Sequence, residues 1–184
     1  MAIAAILKSE VGEGRGESLS VMSEVCKEVV SVSLSQAEMR MMKFSENDIA
    51  LQNFFSKGLK NVEHIGANSF TYNFNQLPKF DLIFIDGDHS YEGVRNDTQK
   101  MFDMLKNETS IIVWHDYAPS YEILGWEVFA GILDGTPKEK LNKLYHVSNT
   151  QTAIFLNEKV KSSPREFPAT PNKKFSLTIR ATRL

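Results

Sequence analysis

The sequence predicts an α/β protein in which a mostly parallel sheet is covered by helices on both faces. Short runs of apolar and β-branched residues recur along the chain, amphipathic segments separate them, and glycine-rich or polar turns end several of them. Parallel strands that are buried on both faces read as nearly continuous apolar runs. The predicted fold class is therefore a doubly wound, three-layer α/β/α sheet, with an antiparallel last strand.

The start of the chain reads as strand, glycine turn, helix and strand. Residues 3–7 form an apolar run that ends before a glycine-rich stretch at residues 12–16. The helix predicted next has three apolar residues on one face, Leu19, Met22 and Val25. Residues 29–32 then favour a second buried strand, because they are rich in valine. This βαβ unit places the glycine turn at the carboxyl end of the first strand.

The same alternation continues downstream. Apolar residues suggest another helix around Ile49, Leu51, Phe54 and Phe55. Three further strands are predicted, at residues 62–65, 80–85 and 111–114, with a helix over residues 91–106. Residues 144–147 and 152–156 are joined by only four polar residues, and a connection this short permits only an antiparallel hairpin.

Length, composition and charge predict a single globular domain. A chain of 184 residues with 42% hydrophobic composition can bury one sizeable core. A formal net charge of -2 supplies no basic field for a phosphate backbone, so nucleic acid is not expected as a partner. No segment approaches the roughly 20 apolar residues of a membrane span, and the start lacks a leader pattern, so we predict a soluble cytoplasmic protein with no membrane partner.

The last part of the chain changes character. We predict a domain over residues 1–158 and an extended C-terminal arm over residues 159–184, which is rich in proline and basic residues. Residues 175–179 alternate at strand period. This segment could dock on its own domain or on a second subunit, which would make a homodimer.

A motif of spaced glycines marks the first candidate binding site. Its residues are Glu10, Gly12, Gly14 and Gly16. Glycines let a chain turn sharply and let the backbone come close to a ligand. The alternative is a surface turn that happens to be glycine-rich. The position after the first strand favours the ligand, because crevices form at that edge of an α/β sheet.

Two further motifs follow the predicted strands at residues 80–85 and 111–114. Residues 85–94 read IDGDHSYEGV and residues 115–117 read HDY. With the order of elements, these motifs resemble the class I S-adenosylmethionine-dependent methyltransferases, which have a Rossmann-like sheet. The resemblance covers about residues 3–157. It implies S-adenosylmethionine as the cofactor and methyl transfer to a small-molecule acceptor. We expect an oxygen nucleophile as the target, and nitrogen acceptors stay open.

The resemblance also implies a set of cofactor contacts. The glycine turn matches the loop around the methionine part, with contacts from Glu10, Gly12, Gly14 and Gly16. Ser33 stands where the family usually has an acid for the ribose hydroxyls, and a hydroxyl cannot replace a bidentate charged acceptor. Asn68 and Ser69 match the place of the adenine contact, and Asp86 adjoins the cofactor.

Three side chains are expected to meet where two adjacent strands end. Asp86 follows one strand, and His115 and Asp116 follow the next. In catechol-type relatives of the family, similar acids bind magnesium. Oxygen ligands suit Mg²⁺, whereas a histidine among them favours a transition metal. The alternative is that Asp86 and Asp116 cap the helices and turns that follow, and that His115 is hydrogen-bonded without a metal.

His89 is a candidate general base for an acceptor hydroxyl, because imidazole titrates near neutral pH. It could equally hold its turn by bonding to the backbone. His89, Asp86 and His115 form the predicted catalytic set. Two other functions stay open at this stage: a nicotinamide-dependent enzyme, against which Ser33 argues, and a methyltransferase-like fold kept as a binding or assembly module.

Overall fold

The computed structural model describes residues 2–7, 14–118, 123–148 and 150–164, together with residues 176, 178, 180 and 182. For residues 2–7 only the backbone is described. Glu10 and Gly12 lie outside the described residues, and so does most of the strand predicted at residues 175–179. The two-part division of the chain and the homodimer through its C-terminal arm therefore stay predictions.

A seven-stranded sheet forms the centre of the protein. Its strands are β1 (Ala2–Leu7), β2 (Glu28–Ser33), β3 (Val62–Gly66), β4 (Leu82–Asp86), β5 (Ile111–Trp114), β6 (Leu144–His146) and β7 (Ala153–Phe155). Their spatial order is β3-β2-β1-β4-β5-β7-β6. Strands β1 to β5 pair in parallel, and β7 runs antiparallel to both β5 and β6. The predicted fold class and the predicted hairpin are confirmed. The strand order reverses between β1 and β4, where such sheets open a ligand crevice.

Helices cover both faces of this sheet. They are α1 (Glu17–Val25), α2 (Gln36–Met41), α3 (Glu46–Leu51), α4 (Tyr91–Asp103) and α5 (Trp126–Gly135). Alternate residues of β2 serve opposite layers: Val29 packs with Leu19 of α1, whereas Val30 and Val32 belong to the larger core that includes Val94 of α4. None of the helices in the described part of the chain has the length and apolar character needed to cross a bilayer.

Three details of the predicted helices are wrong. Val25 is 75% exposed and does not share the buried face of Leu19. The helix predicted through Phe54 and Phe55 ends at Leu51, and both phenylalanines are exposed. The chain leaves the helix at Gln52, whose ψ of 127° is not helical, and Asn53 then adopts a left-handed conformation with a φ of 59°. Helix α2 was not predicted at all.

Glycines allow α4 and α5 to pack closely. A Cβ at Gly131 would lie 2.8 Å from the Cβ of Val94 and 2.9 Å from the backbone oxygen of Tyr91. We expect Gly131→Val to lower the free energy of unfolding by about 2 kcal/mol, because the added groups must push the helices apart. Urea denaturation measures this. The control is Leu133→Val on an exposed position of α5, with an expected loss below about 1 kcal/mol. Equal losses would contradict the packing argument.

Candidate functional site

The described part of the glycine turn is held against the segment that follows α3. Gly16 has a φ of 87° and caps the start of α1. A Cβ on Gly16 would lie 2.3 Å from the buried Ser56 Oγ. The backbone N–H of Asn53 donates to the carbonyl of Gly14 at 3.0 Å. Packing within the protein therefore requires a glycine at position 16, whether or not a ligand also approaches it.

An open cleft lies at the carboxyl ends of β2, β3 and β4. It is open to solvent, and its empty space, part of which lies outside the protein, is about 520 Å³. Its polar lining comes from Ser33, Asn68, Ser69, Asp88 and Asp97. Met42 and Phe70 add apolar walls. The first three polar residues were singled out from the sequence as cofactor contacts, and the structure places them around one cavity.

Ser33 is paired with an amide that the sequence analysis missed. Gln52 Nε2 donates to Ser33 Oγ at 3.3 Å and to the carbonyl of Leu34 at 2.7 Å. The serine oxygen thus accepts a hydrogen bond, and its own hydrogen can donate into the cleft. Gln52 lies 19 residues from Ser33 and just beyond the end of α3. No local pattern in the sequence could have linked the two.

The loop after β3 is tied to helices on both sides. The backbone N–H of Asn68 donates to Glu38 Oε1 of α2 at 3.2 Å. Lys100 of α4 donates from Nζ to the carbonyls of Ser69 at 2.6 Å and Phe70 at 2.8 Å. These hydrogen bonds anchor this edge of the cleft to α2 and to α4.

A cluster of three titratable side chains lies at the carboxyl ends of β4 and β5. Ligand atoms of Asp86, His115 and Asp116 all lie within 4.8 Å of one another. His115 Nδ1 is 3.0 Å from Asp116 Oδ1 and 3.5 Å from Asp86 Oδ1, and neither contact has hydrogen-bond geometry. His89 Nε2 approaches Asp116 Oδ2 at 3.5 Å. The structure thus brings these four predicted residues together, while their roles stay predictions.

Contacts with two carboxylates control the protonation of His115. Asp86 makes the largest contribution, and with Asp116 it raises the pKa of His115 to about 9, against burial, which lowers it. His115 therefore carries a proton at neutral pH in the protein without ligands. A protonated His115 can donate a hydrogen bond, but it cannot act as a base.

The backbone of Asp116 is also unusual. Asp116 has a φ of 51°, a left-handed conformation that aspartate tolerates better than most residues.

The helices after β4 and β5 are capped by other groups. Ser90 Oγ accepts from the N–H of Gly93 at the start of α4. Helix α5 begins after Gly125, with no side-chain cap. The alternative in which Asp86 and Asp116 cap these two helices is wrong.

Comparison with known proteins identifies the family. A family model described as "Methyltransferase domain" matches residues 9–117, which is more than half of the chain. The chain belongs to this methyltransferase family. No curated protein sequence matches the chain.

Solved structures show the same methyltransferase fold. Podospora anserina methyltransferase PaMTH1, bound to S-adenosylhomocysteine, is 16% identical with a TM-score of 0.52; the match covers 86% of this chain and 72% of that one. Aeropyrum pernix fibrillarin, with natively bound S-adenosylmethionine, is 15% identical with a TM-score of 0.51, over 83% of this chain and 64% of that one. The chain spans 30% of the length of the methyltransferase SibL and 46% of that of DhpI.

Proposed function

We propose that this chain binds S-adenosylmethionine in the open cleft and transfers its methyl group to an oxygen of a small-molecule acceptor. The observation that carries the proposal is the adjacency of two sites in a methyltransferase-family chain. A polar cleft lies at the ends of β2, β3 and β4, and the cluster of Asp86, His115 and Asp116 lies at the ends of β4 and β5. Such an edge is where ligands bind in α/β sheets of this kind.

On the cofactor side, hydroxyl and amide groups do what an acid does in most of the family. Ser33 and Gln52 would offer neutral groups to the ribose hydroxyls, and Asn68 and Ser69, which line the same cleft, would contact the adenine. The glycine turn through Gly14 would approach the methionine part. Neutral partners give weaker hydrogen bonds than a carboxylate, so the affinity for the cofactor should be modest.

On the acceptor side, His89 is the residue proposed to take the proton. As the acceptor oxygen forms its bond to the methyl carbon, the carbon–sulfur bond breaks and S-adenosylhomocysteine leaves. The hydroxyl proton passes to His89, whose Nε2 faces Asp116. His115, already protonated between its two carboxylates, donates a hydrogen bond that orients the acceptor oxygen. Positioning supplies most of the catalysis, because the sulfonium is already activated.

We also propose that the cluster can hold a divalent cation in place of the proton on His115. His115 Nδ1 is a buried nitrogen without a hydrogen-bond partner, and two carboxylates converge on it. One nitrogen with two oxygens suits a transition metal better than Mg²⁺, which prefers oxygen alone. A bound cation would lower the pKa of an acceptor hydroxyl. These three side chains would hold it.

Isothermal titration calorimetry tests the proposed function. S-adenosylmethionine and S-adenosylhomocysteine should bind with one site per chain, and NAD should give no heat of binding. Each titration is repeated with a chelator and with Mg²⁺ or Mn²⁺. Binding of NAD in place of both adenosyl ligands would favour the nicotinamide alternative. No binding of any of the three would leave the assembly-module alternative.

A further inference from the structure

A buried acid lines the cleft from the side of α4. Asp97 is 2% exposed, although it carries a carboxyl group, and it borders the same cavity as Ser33 and Asn68. It occupies the apolar face of its helix, between Val94 and Met101, both of which are buried. A carboxyl group in such a place is costly unless polar partners meet it. The mechanism proposed above makes no use of it.

Hydrogen bonds within the protein use only part of the accepting capacity of the Asp97 carboxyl group. Asn96 Nδ2 donates to Asp97 Oδ1 at 2.8 Å. Burial raises the pKa of Asp97, while hydrogen bonds from Ser69 and Asn96 and the charge of Lys100 act in the opposite direction. Two carboxylate oxygens offer about four acceptor positions, so the group can still accept a hydrogen bond from a ligand in the cleft.

The neighbouring amide has the opposite capacity. Asn68 Oδ1 already accepts a hydrogen bond from the backbone N–H of Phe70 at 2.9 Å. The amide hydrogens of Asn68 are thus the groups with which it best serves the cleft. The lining of the cleft therefore includes a donor on Asn68 and an acceptor on Asp97. This pairing complements a ligand edge that carries an acceptor next to a donor.

We propose that Asp97 determines the base specificity of the cleft by accepting a hydrogen bond from the exocyclic amine of adenine. Asn68 donates to N1, the neighbouring nitrogen of the six-membered ring. A 6-oxopurine reverses both groups, placing an oxygen against the carboxylate and an N–H against the amide donor. The inference rests on the proposed function, since it takes an adenosyl compound as the ligand. Discrimination should be large because the wrong base leaves two desolvated groups unpaired.

The test compares two ligands that differ only at this edge. Wild-type protein is titrated calorimetrically with S-adenosylhomocysteine and with its 6-oxo analogue, S-inosylhomocysteine. We expect the adenine compound to bind about 10- to 100-fold more tightly, the scale of a hydrogen bond to a charged group. Asp97→Asn should reduce this preference to less than about threefold, because an amide can donate as well as accept.

A matched control separates recognition from folding. Asp103→Asn makes the same chemical change on the exposed side of α4 and should keep the wild-type preference. Thermal melting checks that each variant is folded. If Asp97→Asn does not fold, Asp97→Ser takes its place, with the same expected loss of preference.

The outcomes distinguish the two proposals. Wild-type protein that binds neither ligand contradicts the proposed function itself. Wild-type protein that binds both ligands equally well overturns the role of Asp97 and leaves the proposed function standing. A folded Asp97 variant that keeps the full preference for adenine overturns it in the same way. If Asp97 had only a structural role, Asp97→Asn would lower the affinity for both ligands equally, and the ratio of the two affinities would stay as in the wild type.

Discussion

Gly16→Ala is expected to lower the free energy of unfolding by about 3 kcal/mol. Two costs add at this position. A residue with a Cβ pays about 1–2 kcal/mol to hold the left-handed conformation, where Gly16 has a φ of 87°. The new Cβ would also lie 2.3 Å from Ser56 Oγ, which is fully buried and cannot move into solvent. Urea denaturation followed by circular dichroism measures the loss.

The chain contains a matched control for the first of these costs. Gly58 has nearly the same φ, 88°, and a Cβ there would meet nothing within 4 Å. Gly58→Ala should therefore cost only about 1 kcal/mol. The difference between the two variants isolates the overlap with Ser56. Combining Gly16→Ala with Ser56→Gly should recover part of that difference, and equal losses at the two glycines would show that the overlap is relieved at little cost.

This result bears on how the glycine motif is interpreted. The sequence motif suggested that its glycines contact a ligand. In the structure, the left-handed conformation of Gly16 and its contact with Ser56 already require a glycine there. Gly14 contributes a backbone carbonyl to the same contact, which binds the N–H of Asn53. Packing against the segment after α3 was hidden in the sequence, because the contact joins parts of the chain about forty residues apart. A motif can thus be required by a neighbouring segment before any ligand binds.

The sheet could be predicted because its strands are short, apolar and bounded by turns. β5 has the predicted bounds, and the four residues between the two segments of the last hairpin forced its antiparallel direction. Helix α2 was missed because six residues span less than two turns and give little periodicity. A capping box of Ser35 and Glu38 marks its start and was the available signal.

The site was predictable only in part. Residues that directly follow strands share an edge, which is why Asp86, His115 and Asp116 could be grouped from the sequence. Gln52 could not be found, since its contact with Ser33 depends on how the chain turns after α3. Asp97 could have been found: an acid on the apolar face of a predicted helix is a signal in itself. It was missed because the helix was predicted from its apolar residues alone.

The second large effect concerns the cluster beside the cleft. In protein treated with a chelator, the pKa of His115 should be about 9, and Asp86→Asn should lower that pKa by more than about one unit. Asp116→Asn should lower it less, because Asp86 makes the largest contribution. NMR titration of the histidine ring signals measures these values. Asp103→Asn, on the exposed side of α4, should leave the pKa of His115 unchanged.

The same shift predicts how stability depends on pH. The folded pKa of His115, about 9, lies above the ordinary value of 6.5, so the stabilisation is complete below pH 6.5 and is lost as the pH rises through 9. Between pH 6.5 and pH 9, Asp86→Asn should therefore lower the free energy of unfolding most at the low-pH end. The difference from wild type should shrink above pH 9. A constant difference across the window would mean that Asp86 stabilises the fold without the imidazolium.

A proton and a cation compete for the same nitrogen. His115 Nδ1 must be deprotonated to ligate a metal, so a bound cation would lower its apparent pKa and release a proton on binding. Repeating the NMR titration with Mg²⁺ and with Zn²⁺ therefore distinguishes the two occupants. If neither ion changes the pKa of His115, the proton alone balances the two carboxylates, and His89 stands as the base beside them. If Zn²⁺ lowers it and Mg²⁺ does not, the nitrogen ligand selects the metal, as its chemistry favours.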